Sequence, residues 1–582
     1  MKGPLNYGWT FLYVACMKKI LMKFFFNENG LLRPVVVAYG VNIFFLLICL
    51  LCGEKFFFSV SDDYFMARIL EGGYGDSYNV HMAFVNVLYG YALLPLYYLF
   101  PKVGWYYVGE VFAIFISFTM LSYVLIKKTG LQWGTILSFL LIACFARDFY
   151  LTIQFTLCAA VLGAVGMALF LYSLSLSKSS IWVSLIAMVL MLWGFCMRSD
   201  AFLMGIPFFG IALLFFVKSA VANRYHFVVC ILMVFCGLYA ANYFNRIHYS
   251  TPEYQKYIEF QPYRVMLGDK DNYDKGAVYD EIEEMGLNSE DYTILQNWIF
   301  YDTETFVVDS LKRITDKILK YSNSLNLLAM PYQALYRFEN SVVHPCCWAF
   351  CLISLVLLYL GRKSFFYVGG ALGLMFTMTA YLVYLSRLVY RVESGLWLYA
   401  TILAIPLLKE IRPIPRCRTI KILGILFVAY TLFFYFTSSM QRNPSRGRLM
   451  EVASRETALA HYKSIFDYMD SLPINTMFLT SMGVYQSFSS YRMPLYFSEP
   501  VGSWKRIVSL GFWTPYFPDV ANSLKKYGIE NPMRDVVKEN VVVISSDENL
   551  LDYLRRHYYE NAEVDTLRDI GGVKFFKYST GL

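Results

Sequence analysis

Long apolar runs separated by short polar segments occupy most of the first three quarters of the chain. A run of about 20 residues is long enough to cross the ~30 Å hydrocarbon core of a bilayer as a helix. Eleven runs are predicted to span the membrane, some of them short: 34–52, 105–126, 131–146, 150–173, 180–197, 201–217, 226–243, 345–360, 365–385, 393–408 and 419–437. The pattern predicts a polytopic α-helical membrane protein.

Two long polar segments interrupt or follow these runs. The segment 244–344 is rich in acidic residues and tyrosine and is predicted to be helical, with Ser289 as a helix N-cap. The tail 438–582 is predicted to be a small α/β domain. Its predicted elements are a helix over 449–471 and β-type runs at 477–479, 541–544 and 573–576. A second helix is predicted to begin with a capping box from Ser545 to Glu548 and to end near Tyr558.

The positions of lysine and arginine determine how the further apolar run 81–100 is interpreted. If this run does not cross, the basic loops that follow lie on the same side as the basic N-terminus, as the positive-inside rule requires. If it crosses, all of these loops change sides. We therefore predict a helix lying at the outer surface, hinged near Pro95 and Pro101. The N-terminus, with an amphipathic helix over 8–26, is then cytoplasmic, and both polar segments lie outside.

Composition supports this class. Of the 582 residues 57% are apolar and 16% are charged, against a usual ~25% charged, which excludes a disordered chain and a purely soluble globule. The net charge is +8.

The two polar segments contain no cysteine, so no disulfide framework is expected there. No glycine-rich phosphate loop follows a strand, and no nucleic-acid partner is expected. A bacterial inner membrane is the simplest location.

The first candidate site is the acidic pair Asp62-Asp63, about ten residues beyond the first span. Such carboxylates act as a general base toward a hydroxyl group, or as ligands of Mg²⁺ or Mn²⁺. The structural alternative is that Ser61 or Asp62 caps a helix over 64–71, and the two roles are compatible.

The second candidate group consists of charges at the predicted outer ends of later spans. They are Arg147 with Asp148, Arg198 with Asp200, and Arg387 and Arg391 with Glu393. Guanidinium groups suit phosphate binding, and ionisable residues at membrane depth often mark substrate paths. Arg387 and Arg391 are four residues apart and are expected on one helical face. The alternative is a local pair of arginine with Asp or Glu that closes a helix end.

Three further features remain open between function and structure. Glu110 lies within the predicted span 105–126, near its outer end. His81 begins the surface helix, where a lone histidine is more often a hydrogen-bonded structural residue. Gln154 and its two neighbours Phe155 and Thr156 open a span and are expected to cap it.

The order of these features resembles the GT-C superfamily of polytopic glycosyltransferases, such as protein O-mannosyltransferases and lipid A aminoarabinose transferases. Asp62-Asp63 takes the place of that family's acidic motif in the outer loop 53–104, and residues 79–100 take the place of its juxtamembrane helix. The resemblance implies a cytoplasmic N-terminus over 1–33, a GT-C-like transmembrane domain over 34–437 and an extracytoplasmic domain over 438–582. It covers most of the chain, although the Pro-Pro-Leu-like sequence of those transferases is absent.

The resemblance also implies a reaction. A sugar carried on a polyprenyl phosphate would be transferred, with inversion, to the hydroxyl group of a glycan, lipid or protein at the outer face, in the synthesis or modification of envelope polysaccharide. Asp63 is the first choice for the base, because it lies further into the loop and Asp62 is the better cap. Arg387 and Arg391 would bind the lipid phosphate, with Arg198 and Arg147 as second choices.

Three other functions fit the same sequence less well. A polymerase or ligase of the O-antigen type would use outer arginines without needing the acidic pair. A lipid-linked glycan transporter would show inverted repeats and broken helices, and no repeat is visible. A non-catalytic scaffold for envelope assembly would tolerate the loss of every charge named above.

Overall fold

The computed structural model describes residues 33–411 and 455–581, together with Ile425 and Ala429. Short gaps lie at 52–56, 59–60, 76, 177–179, 270–274, 323–329, 341–343, 362, 386, 492–494, 496–500 and 547–549. The predicted surface helix 8–26 and the predicted span 419–437 lie outside the described residues. So does most of the Ser545 to Glu548 capping box.

The described part of the chain is mainly helical. In chain order the helices are α1 (Pro34–Leu51), α2 (Ser61–Leu70), α3 (Val87–Leu99), α4 (Trp105–Thr129), α5 (Leu131–Ala146), α6 (Phe155–Ser175), α7 (Ile181–Met197), α8 (Ser199–Leu203), α9 (Ile206–Leu214), α10 (Val217–Ala222), α11 (Arg224–Tyr249), α12 (Pro252–Asp269), α13 (Lys275–Glu284), α14 (Ser289–Gln296), α15 (Val308–Ser322), α16 (Met330–Asn340), α17 (Pro345–Leu360), α18 (Ser364–Tyr384), α19 (Tyr390–Ile402), α20 (Arg455–Ser471), α21 (Met482–Tyr491), α22 (Val501–Trp504), α23 (Pro518–Lys526) and α24 (Leu550–His557). A π-helical turn occupies Arg147–Leu151, and 3₁₀ turns occupy Ile405–Leu407 and Asp535–Val537.

Apolar helices make the protein an integral membrane protein. Within the described ranges, α1, α4, α6, α11 and α18 are long and apolar enough to cross a bilayer. The predicted spans near α5, α7, α8–α9 and α17 form shorter apolar helices, and the one over 393–408 corresponds to the 13-residue α19. Helix α6 lies at the centre, because its apolar segment is entirely buried. Only 11% of the apolar segment of α11 is buried.

The central helices pack closely because glycines line their contact. A Cβ atom on Gly166 of α6 would lie 2.9 Å from the carbonyl oxygen of Ala187 in α7. A Cβ atom on Gly194 of α7 would lie 2.9 Å from the carbonyl oxygen of Ala159 in α6. Small residues let the helix backbones approach in this way inside membranes.

Several predicted boundaries were wrong, each for a local reason. Helix α3 begins at Val87 and not at 81, because Asn86 is its N-cap and accepts a hydrogen bond from the Leu88 N–H at 3.0 Å. The span predicted over 150–173 begins only at Phe155, after the π-helical turn. The span predicted over 226–243 continues to Tyr249, and the one over 201–217 is broken between α8 and α9. The N-cap of α14 is Asn288 and not Ser289, with a capping box to Asp291.

The described part of the tail contains a five-stranded sheet and several helices. Its strands are β3 (Met477–Thr480), β4 (Ile507–Ser509), β5 (Val541–Ser545), β6 (Glu563–Ile570) and β7 (Val573–Ser579), in the order β4-β3-β5-β7-β6. β3 is parallel to β4 and β5, and β7 is antiparallel to β5 and β6. The three predicted β-type runs are confirmed. β6 was missed because it is a charged, largely exposed edge strand without apolar alternation.

Helix α2 joins the membrane helices to this domain. Just before it, β1 (Phe57–Phe58) pairs in parallel with β2 (Thr152–Ile153), next to the start of α6. On its other side the ring of Phe65 stacks on Phe512 with centroids 4.0 Å apart. The acidic pair is therefore carried on a helix that both parts of the protein hold.

Arg68, in the last turn of α2, has no exposed surface. Its Nη2 atom donates to the carbonyl oxygens of Trp504 at 2.6 Å and Ile507 at 2.9 Å, and its Nη1 atom donates to the hydroxyl of Tyr485. The neighbouring Gly73 must remain glycine, because a Cβ atom there would lie 2.5 Å from the Arg68 Cγ atom. A buried charge with this many acceptors makes Arg68 the main polar contact between α2 and the tail domain.

Replacing Arg68 by Met should lower the free energy of unfolding by about 3 kcal/mol or more, because several buried acceptors lose a charged donor. Thermal unfolding in detergent, followed by intrinsic fluorescence, measures this change. Arg313→Met is the matched control. The Arg313 side chain is 55% exposed, and its partner Glu281 keeps Lys317 at 3.1 Å when Arg313 is lost, so this variant should lose only about 1 kcal/mol or less. Equal losses in the two variants would contradict the assigned role of Arg68.

Candidate functional site

The acidic pair lies in the first turn of α2. The helix begins at Ser61, three residues earlier than predicted, so that Asp62 and Asp63 lie inside it and do not cap it. Both carboxylates are favourably placed near the positive end of the helix dipole. Asp63 is completely buried, whereas Asp62 is partly exposed. The two neighbours therefore meet different surroundings.

Asp63 binds the start of another helix. Its Oδ1 atom accepts hydrogen bonds from the Tyr106 hydroxyl at 3.0 Å and from the backbone N–H of Phe155, the first residue of α6, at 3.2 Å. Burial, and then the neighbouring charge of Asp62, raise the pKa of the Asp63 carboxyl group to about 7. The pair of hydrogen bonds to Oδ1 opposes this shift only in part.

Glu110 is the second buried carboxyl group of this region. It lies one helical turn after Tyr106 on α4, has no exposed surface and interacts electrostatically with Asp63. The side chains of Glu110 and Asp63 are hydrogen-bonded to each other, which requires one of the two carboxyl groups to carry a proton. Two carboxyl groups in one buried site do not both carry a charge at low cost. Glu110 therefore belongs with Asp63, as part of one acidic cluster.

Arg198 follows α7 and lies next to this cluster. Its guanidinium carbon is 5.3 Å from the ring centre of Phe84 and 5.2 Å from that of Phe155, the residue whose N–H binds Asp63. Its Nε atom is 3.8 Å from Oδ2 of Asp200, and 28% of its side chain is exposed. The guanidinium group is thus held by aromatic faces and remains open to solvent.

Charges from three distant parts of the sequence meet at Arg198. Asp62 and Asp200 attract its guanidinium group, and Arg387 and Arg391 repel it. Asp62 of the loop after the first span and the arginines of the later segment therefore lie within electrostatic range of Arg198. The prediction that Arg387 and Arg391 share a helical face was wrong. Helix α19 begins only at Tyr390, and Arg387 lies in the irregular segment before it.

The remaining predicted residues lie around this group or apart from it. Arg147 begins the π-helical turn, and its side chain lies outside the described part of the structure. Asp148 is buried and accepts a hydrogen bond from the Tyr390 hydroxyl at 2.9 Å. Gln154 is the N-cap of α6, so the predicted capping of this span is confirmed.

His81 lies in an irregular segment and not at the start of a helix. Its Nδ1 atom is 2.7 Å from Oδ1 of Asn79, and its ring stacks on Tyr254 with centroids 4.4 Å apart. Burial lowers the pKa of the His81 imidazole to about 4, which favours the neutral ring. These contacts support the structural alternative for His81.

The contact between His344 and Glu393 was not predicted from the sequence. Nε2 of His344 lies 3.0 Å from Oε2 of Glu393, which we had expected to close a helix end with Arg387 or Arg391. A single histidine 49 residues before its partner produces no recognisable spacing. Tyr106 was also missed, although it lies four residues before Glu110 and hence on the same helical face.

The described side chains form no cluster of three or more His, Cys, Asp or Glu residues that would hold a metal ion. What they form is a partly exposed carboxylate beside three guanidinium groups, backed by a buried acidic cluster. Arginines in this arrangement bind an anionic oxygen group, and the carboxylate is placed to accept a proton beside it.

No protein-family model and no curated protein matches the chain. Two solved structures do, both of ArnT from Cupriavidus metallidurans. The structure bound to undecaprenyl phosphate is 11% identical with a TM-score of 0.42, over 94% of this chain and 99% of that chain. The apo structure is 10% identical with a TM-score of 0.40, over 93% and 98%. ArnT is a lipid A aminoarabinose transferase of the GT-C fold, the resemblance expected from the sequence. At these identities and TM-scores, the likeness assigns no activity.

The raised pKa of Asp63 predicts a pH dependence of stability. Its folded carboxyl group keeps a proton up to about pH 7, whereas the unfolded group loses it near pH 3.8. The free energy of unfolding of the wild type should therefore decrease, relative to Asp63→Asn, as the pH rises through this interval. Thermal unfolding of both proteins in detergent from pH 4 to 8 measures the difference. Parallel pH profiles of the two proteins would contradict the burial of a protonated Asp63.

Proposed function

We propose that this protein is a membrane glycosyltransferase that moves a sugar from a polyprenyl-phosphate donor to an acceptor hydroxyl group at the outer face of the membrane. The observation that carries the proposal is the meeting of Asp62, Arg198, Arg387 and Arg391 at one site. A transferase of this kind needs a base for the acceptor and cations for the phosphate that leaves. These two requirements are met by groups that lie side by side.

The arginines are the phosphate-binding part. Arg198, Arg387 and Arg391 repel one another when no anion is bound, and a lipid phosphate placed among them relieves this repulsion. Phosphate oxygens accept paired hydrogen bonds from guanidinium groups. As the bond between the sugar and the phosphate breaks, the phosphate takes the bond electrons, and the arginines stabilise the charge that develops on it.

Asp62 is the base in this proposal, in place of the first choice made from the sequence. A base must touch the acceptor hydroxyl group, and Asp62 is partly exposed and interacts with Arg198. Asp63 is fully buried, and its Oδ1 atom already accepts two hydrogen bonds. Asp62 takes the hydroxyl proton while the oxygen attacks the anomeric carbon on the side opposite the phosphate, which inverts its configuration. Asp63 holds α2 against the start of α6.

The orientation predicted from the lysine and arginine positions supports a reaction outside the cytoplasm. With the N-terminus inside, the loop 53–104 and the tail domain lie on the outer side, where the tail helps to bind the acceptor. A bacterial inner membrane and an envelope glycan as acceptor fit this arrangement. Labelling of single cysteines introduced at the exposed residues Asp200 and Ile474, in intact cells, reports the side on which they lie.

Native mass spectrometry of the detergent-purified protein tests the donor class. We expect a retained polyprenyl monophosphate, or its form with one sugar, because the arginines bind the phosphate. Arg391→Gln should lose the retained lipid, whereas Arg313→Gln, at a surface pair outside the site, should keep it. A retained pyrophosphate-linked oligosaccharide would instead indicate a polymerase, ligase or transporter. Retention of ordinary phospholipid alone would contradict the proposed donor.

Transfer from the retained lipid, measured in membranes that contain the native acceptor, tests the base. Asp62→Asn should lower the transfer rate about 100-fold or more, which is typical of the loss of a general base. Asp200→Asn is the matched control, since Asp200 also pairs with Arg198 but is 82% exposed, and its rate should change little. Loss of transfer in Asp63→Asn with full transfer in Asp62→Asn would return the role to Asp63. Full transfer in both variants would contradict an aspartate base.

A further inference from the structure

A buried histidine and glutamate form a pair that the proposed reaction does not use. His344 directly precedes α17, and Glu393 lies in the first turn of α19. Their Nε2 and Oε2 atoms are 3.0 Å apart, and their side chains are only 4% and 10% exposed. The other ring nitrogen, Nδ1, lies 2.9 Å from the hydroxyl oxygen of Ser394. Both nitrogens of the ring are therefore held in one orientation.

The same ring also stacks on Tyr390, with centroids 4.3 Å apart and planes 24° from parallel. His344 thus contacts three of the first five residues of α19, namely Tyr390, Glu393 and Ser394. Arg391 lies between them in the sequence. A side chain that holds the residues on both sides of Arg391 also fixes the backbone from which the Arg391 guanidinium group extends.

Tyr390 extends this contact to the acidic side of the site. Its hydroxyl donates to Asp148 at 2.9 Å, and the hydroxyl of Thr152 donates to the Asp148 carbonyl oxygen at 2.6 Å. Thr152 begins β2, which leads directly to Phe155, whose N–H binds Asp63. Packed and hydrogen-bonded groups therefore run without a break from His344 to the acidic cluster.

The site has a physical need for such a contact. Arg391 and Arg387 repel Arg198, so keeping Arg391 near Arg198 costs electrostatic energy when no anion is bound. The buried pair offsets this cost, because separating His344 from Glu393 would leave a buried polar group without its partner. Glu393 lies in the first turn of α19, where its negative charge is stabilised by the positive end of the helix dipole.

We infer that His344 is a positioning residue, which holds the first turn of α19 so that Arg391 stays beside Arg198 ready to bind an anionic phosphate group. The inference rests on the proposed function, since it specifies how the arginine part of that site is kept in place. His344 itself touches no substrate, because its ring is enclosed by Tyr390, Glu393 and Ser394.

The test is a double-mutant cycle with undecaprenyl phosphate as the probe, bound to the full-length protein in detergent and measured by titration with native mass spectrometry. His344→Gln should weaken binding about tenfold, as expected when one charge-assisted contact is misplaced. Arg391→Gln should weaken binding at least as much. Because His344 acts through Arg391, the double variant should bind no more weakly than Arg391→Gln alone. Additive losses, or unchanged binding by His344→Gln, would overturn the inference.

His226→Gln is the matched control, because its Nε2 atom also pairs with a serine hydroxyl, that of Ser184 at 2.9 Å, near the start of α11. Its affinity should equal that of the wild type. In the transfer assay, His344→Gln should raise the KM for the donor with a much smaller change in kcat. A purely structural defect would instead lower the active fraction and leave KM unchanged.

Two milder variants keep the test decisive if His344→Gln does not fold. Tyr390→Phe keeps the ring on His344 and removes the hydroxyl group that binds Asp148. Glu393→Gln keeps a hydrogen-bond acceptor for His344. Each should weaken binding by about threefold, the effect of one ordinary hydrogen bond. Unchanged affinity in both would overturn the inference. If the wild-type protein does not bind undecaprenyl phosphate, the proposed function itself is contradicted. If the wild type binds it and these variants bind it equally well, only the role of His344 is contradicted.

Discussion

The structure depends on two buried polar side chains that hold the two ends of one short helix. Arg68 at the end of α2 is surrounded by carbonyl oxygens and the Tyr485 hydroxyl of the tail domain, and Asp63 at its start binds the N–H of α6 and the Tyr106 hydroxyl. Neither group tolerates the loss of its partners, because an unsatisfied buried polar group is costly. Asp62, which directly precedes Asp63 in the first turn of this helix, has little freedom to move.

This constraint explains how the tail domain affects the candidate site. The domain does not need to contact a substrate to affect the reaction, since it holds the helix that carries the proposed base. The stacking of Phe65 on Phe512 adds apolar contact to the polar contacts of Arg68. On the opposite side of the site, His344 holds the first turn of α19 in a comparable way. The helix turns that carry Asp62 and Arg391 are thus both held in place by contacts between buried side chains.

The arrangement also separates two roles that adjacent aspartates would be expected to share. Asp63 has the higher burial and the raised pKa, features that often mark a catalytic acid or base. Here the same features follow from its position against α6 and Glu110, with no exposed surface. Exposure decides the assignment in favour of Asp62, because proton transfer requires contact.

The sequence alone determined the class of the protein and much of its local structure. Apolar runs of bilayer length and β-type runs are local properties, and they predicted the apolar helices and three strands of the tail. The acidic pair and the outer arginines were visible because charge is rare near apolar runs. Tertiary structure alone decided which partner each charge has. Arg68 meets Tyr485 across 417 residues of sequence, and Asp63 meets Phe155 across 92. No periodicity or spacing carries such contacts, since they arise only when distant helices pack together.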